Sequence, residues 1–167
     1  LDKLDLAISD YLAAIALNTN LAFIYSNLAS VYAKLGETHK ALSYYDLSIS
    51  KDANYALAYN NKASVLLGEN EFEEAIIEID RALVADAEYA PAFNNKGVIN
   101  HQMKKYNEAI ADFDKAIMLD DNYAKAYLNR GISKQMIRDE DGACLDWEKA
   151  SELGILMAKK YLANDCE

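Results

Sequence analysis

Large apolar, small and polar residues recur along most of this chain with a period of 34 residues. With units opening at Ala22, Ala56, Ala90 and Ala124, the fourth position is Tyr25, Tyr59, Phe93 and Tyr127, a large aromatic each time. The eighth is small throughout (Ala29, Ala63, Gly97, Gly131), and the twentieth is Ala41, Ala75, Ala109 and Ala143. The twenty-fourth is large again (Tyr45, Ile79, Phe113, Trp147), and the twenty-seventh is small (Ser48, Ala82, Ala116, Ala150). Units close on Tyr55, Tyr89, Tyr123 and Met157. The stretch from Ala92 to Asp120 reads as helix interrupted by Gly97. Four units in register predict a structure assembled from copies of one supersecondary element.

An aromatic at position 4, small residues at 8, 20 and 27, and an aromatic at 24 resemble the tetratricopeptide repeat, and the resemblance covers nearly the whole chain. It implies an all-α fold, a right-handed superhelical solenoid. Each unit is then a pair of antiparallel helices, A over roughly positions 2 to 14 and B over roughly 17 to 30. The small residues at 8 and 20 let A and B approach, the large residue at 24 fills the space beside them, and position 27 admits the next A helix. The full repeats are 22–55, 56–89, 90–123 and 124–157.

Upstream, Ala7, Tyr11 and Ala14 fall at positions 20, 24 and 27 of a preceding unit, so residues 1–21 read as a half repeat. This suggests a fragment of a larger protein or a trimmed chain. After the helix stop Leu153-Gly154, Ala158 and Tyr161 fall at positions 1 and 4. Residues 155–167 are therefore expected to form a C-terminal capping helix with Lys159, Lys160 and Asn164 toward water.

Two departures stand out. The family usually has proline at position 32, where Ala53, Ala87, Asp121 and Ile155 stand; the sole proline, Pro91, falls at position 2, in a first helical turn. Position 7, usually Leu as at Leu28, is Lys62, Lys96 and Arg130. These NNKG and NRG variants are bacterial-looking, and their aliphatic stems are expected to pack while the charged heads reach water.

Composition agrees with a globular helical chain: 167 residues, 52% apolar and 26% charged, with six Gly and one Pro. A net charge of -10 argues against sequence-independent nucleic-acid binding and against anionic membranes, which need a basic footprint. No apolar run of about 18 residues is available for membrane insertion. Cys144 and Cys166 lack a CxxC spacing, which speaks against a disulfide framework and favours a reducing, cytoplasmic compartment. Cys144, beside Ala143, is expected to be packed rather than reactive.

No catalytic constellation emerges, and no cofactor or metal is implied. His39 and His101 stand apart without metal-ligand spacing and are expected to be ordinary surface histidines. The run DEDGACLDWEKASE lacks the alternating ligands and central glycine of a calcium loop. What remains is asparagine at position 6 of every full unit: Asn27, Asn61, Asn95 and Asn129, preceded twice by Asn60 and Asn94. Asparagine is a mediocre helix former, so its recurrence asks for a reason.

In the resembled family, positions 2, 5, 6, 9, 12 and 13 face the concave groove, and similar asparagine ladders line the superhelix of O-linked N-acetylglucosamine transferases. The resemblance implies that these amides bind a peptide backbone, with His101 and Lys125 nearby. The carboxylate clamp that holds chaperone tails is incomplete. Lys125 and Asn129 match its third helix only in part, and Ser26 and Ser30 replace the Lys and Asn of its first.

Charge divides between the helices. Lys125, Arg130 and Lys134 lie on the last A helix, while Glu71, Glu73, Glu74, Glu78 and Asp80 lie on the second B helix and Asp139, Glu140, Asp141, Asp146, Glu148 and Glu152 on the fourth. If A faces inward and B outward, a neutral to mildly basic groove lies inside an acidic outer shell, the acids serving solubility. The expectation is a non-catalytic protein–protein interaction scaffold that binds a peptide segment of a partner in the groove. Two alternatives stand beside it: a homo-oligomer formed through the open N-terminal half repeat, and the substrate-recruiting arm of an enzyme whose catalytic domain lies outside this chain.

Overall fold

A computed structural model of the chain describes residues 2–17 and 21–166, and all regular structure among them is α-helix. The helices are α1 (Asp2–Ala16), α2 (Ala22–Lys34), α3 (Thr38–Lys51), α4 (Ala56–Gly68), α5 (Phe72–Ala85), α6 (Ala90–Gln102), α7 (Tyr106–Leu119), α8 (Ala124–Met136), α9 (Glu140–Glu152) and α10 (Leu156–Asp165). The even-numbered helices α2 to α8 are the A helices and α3 to α9 their B partners, within a residue or so of the expected bounds. The fold is all-α, a succession of antiparallel helix hairpins.

Side-chain caps contribute little: among α2 to α10 only α9 has one, the Asp139 carboxylate accepting from the Gly142 N–H at 3.1 Å. The A-to-B turn is closed by backbone instead. Position 15 is left-handed in every repeat: Gly36 (φ 75°), Asn70 (64°), Lys104 (63°) and Arg138 (65°). The following N–H reaches back to close each turn, Glu37 to the Tyr32 carbonyl at 2.9 Å and Asp139 to that of Lys134 at 3.0 Å. Glycine adopts this conformation freely, whereas arginine sets its Cβ against the backbone. Arg138→Gly is therefore expected to stabilise the fold by about 1 kcal/mol, measured by urea denaturation; an unchanged midpoint would mean that the arginine side chain offsets the strain.

Packing accounts for the small positions. A Cβ added at Gly97 would stand 2.6 Å from the Phe113 ring, and one at Gly131 would stand 2.5 Å from the Trp147 indole nitrogen. Position 8 on helix A is small because position 24 on helix B is large and pressed against it. Ala41, Ala75, Ala109 and Ala143 at position 20 are likewise buried, as are all four residues at position 27. Close-packed interiors leave no room to exchange these sizes.

The chain groups into two units, Leu1–Ala87 with α1 to α5 and Glu88–Glu167 with α6 to α10. In the first, Leu28, Ala29, Tyr32, Ala41 and Tyr45 form a core with Tyr11 and Ile15 of α1 against it. In the second, Ala143, Trp147, Ala150 and Ala158 cluster, and Tyr161 of α10 stacks on Trp147 with ring centroids 4.7 Å apart.

Several expectations are corrected. The heads of Lys62 and Arg130 are not left to water; they are held in ion pairs. Lys62, with only 15% of its side chain exposed, contacts Glu78 at 3.0 Å and Asp46 at 2.7 Å. Arg130 clasps Asp146 through Nε (2.8 Å) and Nη2 (2.5 Å) and reaches Asp114 through Nη1 (2.6 Å). Each cation joins position 23 of its own repeat to position 25 of the preceding one. Burial opposes the charge on Arg130, but the bonds to Asp146 and Asp114 outweigh it and raise its pKa above the usual arginine value. Glu78 and Asp146 are accordingly buried and form no part of an outer acidic shell.

The cysteines are corrected too. Cys144 on α9 and Cys166 just after α10 form a disulfide, with Cα atoms 5.8 Å apart. The short antiparallel return of α10 along α9 brings together thiols 22 residues apart, a proximity that no cysteine motif announces.

Candidate functional site

Asparagine at positions 5 and 6 has two environments. Position 6 (Asn27, Asn61, Asn95, Asn129) is half-buried, whereas Asn60 and Asn94 at position 5 are only 5% and 4% exposed. Each position-5 amide turns to its neighbour: Asn60 Nδ2 donates to Asn61 Oδ1 and Asn94 Nδ2 to Asn95 Oδ1, both at 3.3 Å. In the second unit the row continues between helices, because Asn129 Nδ2 donates to Asn94 Oδ1 at 3.0 Å. The buried member of each pair thus orients the half-exposed one, and one step links α8 to α6.

Successive A helices within a unit diverge enough to leave a hollow, and both units place it alike. Between α2 and α4 a hollow of about 520 Å3 is lined by Ser30, Ala33, Lys34, Tyr45, Asn61 and Ser64, among others. Between α6 and α8 one of about 180 Å3 is lined by Val98, His101, Gln102, Phe113, Asn129 and Ile132. In repeat numbering both use positions 9, 12, 13 and 24 of one unit and positions 6 and 9 of the next. Asn61, Asn129 and His101 are therefore brought to hollows. Asn27 and Asn95 line neither of these two, and Lys125 is exposed on α8 away from them.

Proton counting settles the local hydrogen bonds. Ser30 spends its one proton on the Ser26 carbonyl at 3.0 Å, so the Tyr45 hydroxyl is the donor in its 2.9 Å bond to Ser30. Burial raises the Tyr45 pKa above the ordinary tyrosine value. Ser133 likewise donates to the Asn129 carbonyl at 3.1 Å, so a neutral His101 carries its proton on Nδ1 and donates to Ser133 Oγ at 2.9 Å. Nε2 is then the unprotonated nitrogen.

His101 is half-buried, not freely exposed. It packs edge-on against Tyr106 at 5.2 Å, and burial lowers its pKa below the ordinary histidine value, which keeps the ring neutral near pH 7. The feature that would have flagged it in the sequence is a serine at position 10 of the following repeat, Ser133, where the other repeats carry Val31, Val65 and Ile99. His39, by contrast, is exposed.

Among the described residues no group of three His, Cys, Asp or Glu stands close enough to hold a metal ion, and no helix is long and apolar enough to cross a membrane. What the hollows offer is an array of amide, hydroxyl and imidazole groups beside apolar walls. That arrangement suits the recognition of a chain segment.

A comparison with curated proteins gives no match. Among solved structures, the chain is similar to TTC0263, a thermophilic TPR protein of Thermus thermophilus, with a TM-score of 0.83 and 19% identity over 98% of this chain and 91% of that one. It is similar to YrrB, described as a TPR protein with an unusual peptide-binding site, with a TM-score of 0.69 and 22% identity over 94% and 84% of the two chains. It is also similar to the first TPR of Spaghetti (RPAP3) bound to an HSP90 peptide, with a TM-score of 0.63 and 25% identity over 67% and 90%. Matches to the tetratricopeptide repeat family cover residues 26–91 and 90–123. With the same hairpin repeated on either side of those matches, the chain belongs to the tetratricopeptide repeat family.

Proposed function

We propose that this chain is a non-catalytic interaction scaffold that binds an extended peptide segment of a partner protein along its A helices. The observation that carries the reading is the recurrence of one hollow at the same repeat positions in both units, each edged by a position-6 asparagine. An asparagine amide carries both a donor and an acceptor, which matches the alternating N–H and C=O groups of an extended backbone. Family membership supports the reading, as do the peptide-binding site ascribed to YrrB and the peptide bound to the Spaghetti domain. Asn27 in the first unit and Asn95 in the second each extend the row within their own unit in this proposal, with Asn60 and Asn94 holding their neighbours in place. Lys125, exposed on α8, favours approach of an acidic segment.

Each amide bond to a peptide backbone is worth about 0.5–1.5 kcal/mol net, so Asn95→Ala with Asn129→Ala together, both in the second unit, should weaken binding about 5- to 100-fold. Peptides selected on the full chain from a random display library would be titrated against both proteins by fluorescence anisotropy, with circular dichroism to check folding. Failure to select any peptide, or an unchanged affinity in the double variant, would sink the proposal.

A further inference from the structure

The two hollows share a place in the repeat but not a chemistry. Position 9 on the two facing helices is Ser30 and Ser64 in the first unit, and Val98 and Ile132 in the second. Position 24 is Tyr45, whose hydroxyl bonds Ser30, in the first unit, and Phe113, which has no polar side-chain atom, in the second. Lys34 and Glu69 stand at the first hollow, whereas the second has no residue with a permanent charge in its lining. Its volume is also smaller, about 180 Å3 against about 520 Å3.

We infer that the hollow between α6 and α8 is a selectivity pocket that takes one aliphatic side chain, of the size of Leu, Ile or Met, from the bound peptide. The inference rests on the peptide-binding reading above and adds to it the kind of residue that is read. Val98, Ile132 and Phe113 form the apolar wall. A carboxylate, ammonium or guanidinium placed there would lose water and gain no counter-ion.

The polar groups at the hollow complete the match. The neutral His101 gives its Nδ1 proton to Ser133 and keeps Nε2 as an acceptor, while Asn129 spends one amide proton on Asn94 and keeps its side-chain Oδ1 as an acceptor. Acceptors beside an apolar hollow fit a side chain that enters with backbone N–H groups on either side of it. Filling the hollow with a leucine-sized group is worth about 10- to 100-fold in affinity.

The test uses a built-in comparison, because the first unit carries serine where the second carries Val98 and Ile132. A random heptapeptide phage library would be panned on the full chain and on Val98→Ser; Ile132→Ser serves as a second variant, since Ile132 also touches the Trp147 cluster. Peptides selected on the unaltered chain should share an aliphatic residue. Changing that residue to serine in a synthetic peptide should cost about 10- to 100-fold in affinity for the unaltered chain and little for Val98→Ser.

Selected peptides without an aliphatic residue in common, or the same loss in both proteins, would overturn the pocket while leaving peptide binding intact. Selection of no peptide at all would overturn both. Circular dichroism melts establish that each variant is folded before its affinity is read.

Discussion

Arg130→Ala is expected to lower the unfolding free energy by about 3–5 kcal/mol, because it strips the main partner from a buried carboxylate. Asp146 has only 4% of its side chain exposed and receives two bonds from the guanidinium, with Lys134 Nζ at 3.0 Å as its remaining cation. The loss is a desolvation effect, so it should be far larger than that of cutting the exposed pair Lys149–Glu152 at 3.4 Å. The first repeat supplies the control. It carries Leu28 at position 7 and Tyr44 at position 23, an uncharged solution in the same place. Arg130→Leu combined with Asp146→Tyr should recover most of the loss in urea melts. A double variant no better than Arg130→Ala would show that the ion pair is not what the site requires.

Cys166→Ser is expected to cost about 3 kcal/mol, the chain entropy regained when a loop of this length is opened. The disulfide spans a separation of 22 residues and anchors the end of α10 to α9. Ala158 is the one residue of α10 that is fully buried, so the helix depends on few apolar contacts besides the Tyr161 stack. The effect should be local, since repeat arrays open from their ends. Trp147 is the only tryptophan and lies under Tyr161, so its fluorescence should change as α10 opens in the variant or under a thiol reductant. Intact mass after alkylation counts the free thiols. Two alkylated cysteines in the untreated chain, or identical hydrogen exchange across α10 with and without the bond, would refute this role.

The hairpin plan was legible because it rests on side-chain size. Gly97 against Phe113 and Gly131 against Trp147 are contacts between two helices of one hairpin, so they recur in every unit and leave a period in the sequence. The left-handed turn at position 15 was only half legible: Gly36 and Asn70 suggest it, while Lys104 and Arg138 disguise it. The ion pairs are also written in the sequence. Where position 7 is Leu28, position 23 is Tyr44, and where position 7 is basic, position 23 is Glu78, Asp112 or Asp146. Those partners lie 16 residues apart on antiparallel helices, a distance at which no helical periodicity links them.

For the candidate site, the sequence by itself determined which residues recur, and so the asparagine row. Only the tertiary structure decided that Asn60 and Asn94 at position 5 are buried and the position-6 amides half-exposed, that Asn129 bonds back to Asn94, and that His101 meets Ser133. It also decided that Cys144 and Cys166 meet and that two hollows of unlike chemistry occupy one repeat position. The division has a physical cause. Helix formation and hairpin packing depend on size and polarity at fixed spacing along the chain, which a sequence displays directly. Hydrogen bonds, ion pairs and hollows depend on separations of a few ångströms between side chains on different helices, and those are set only when the helices have packed.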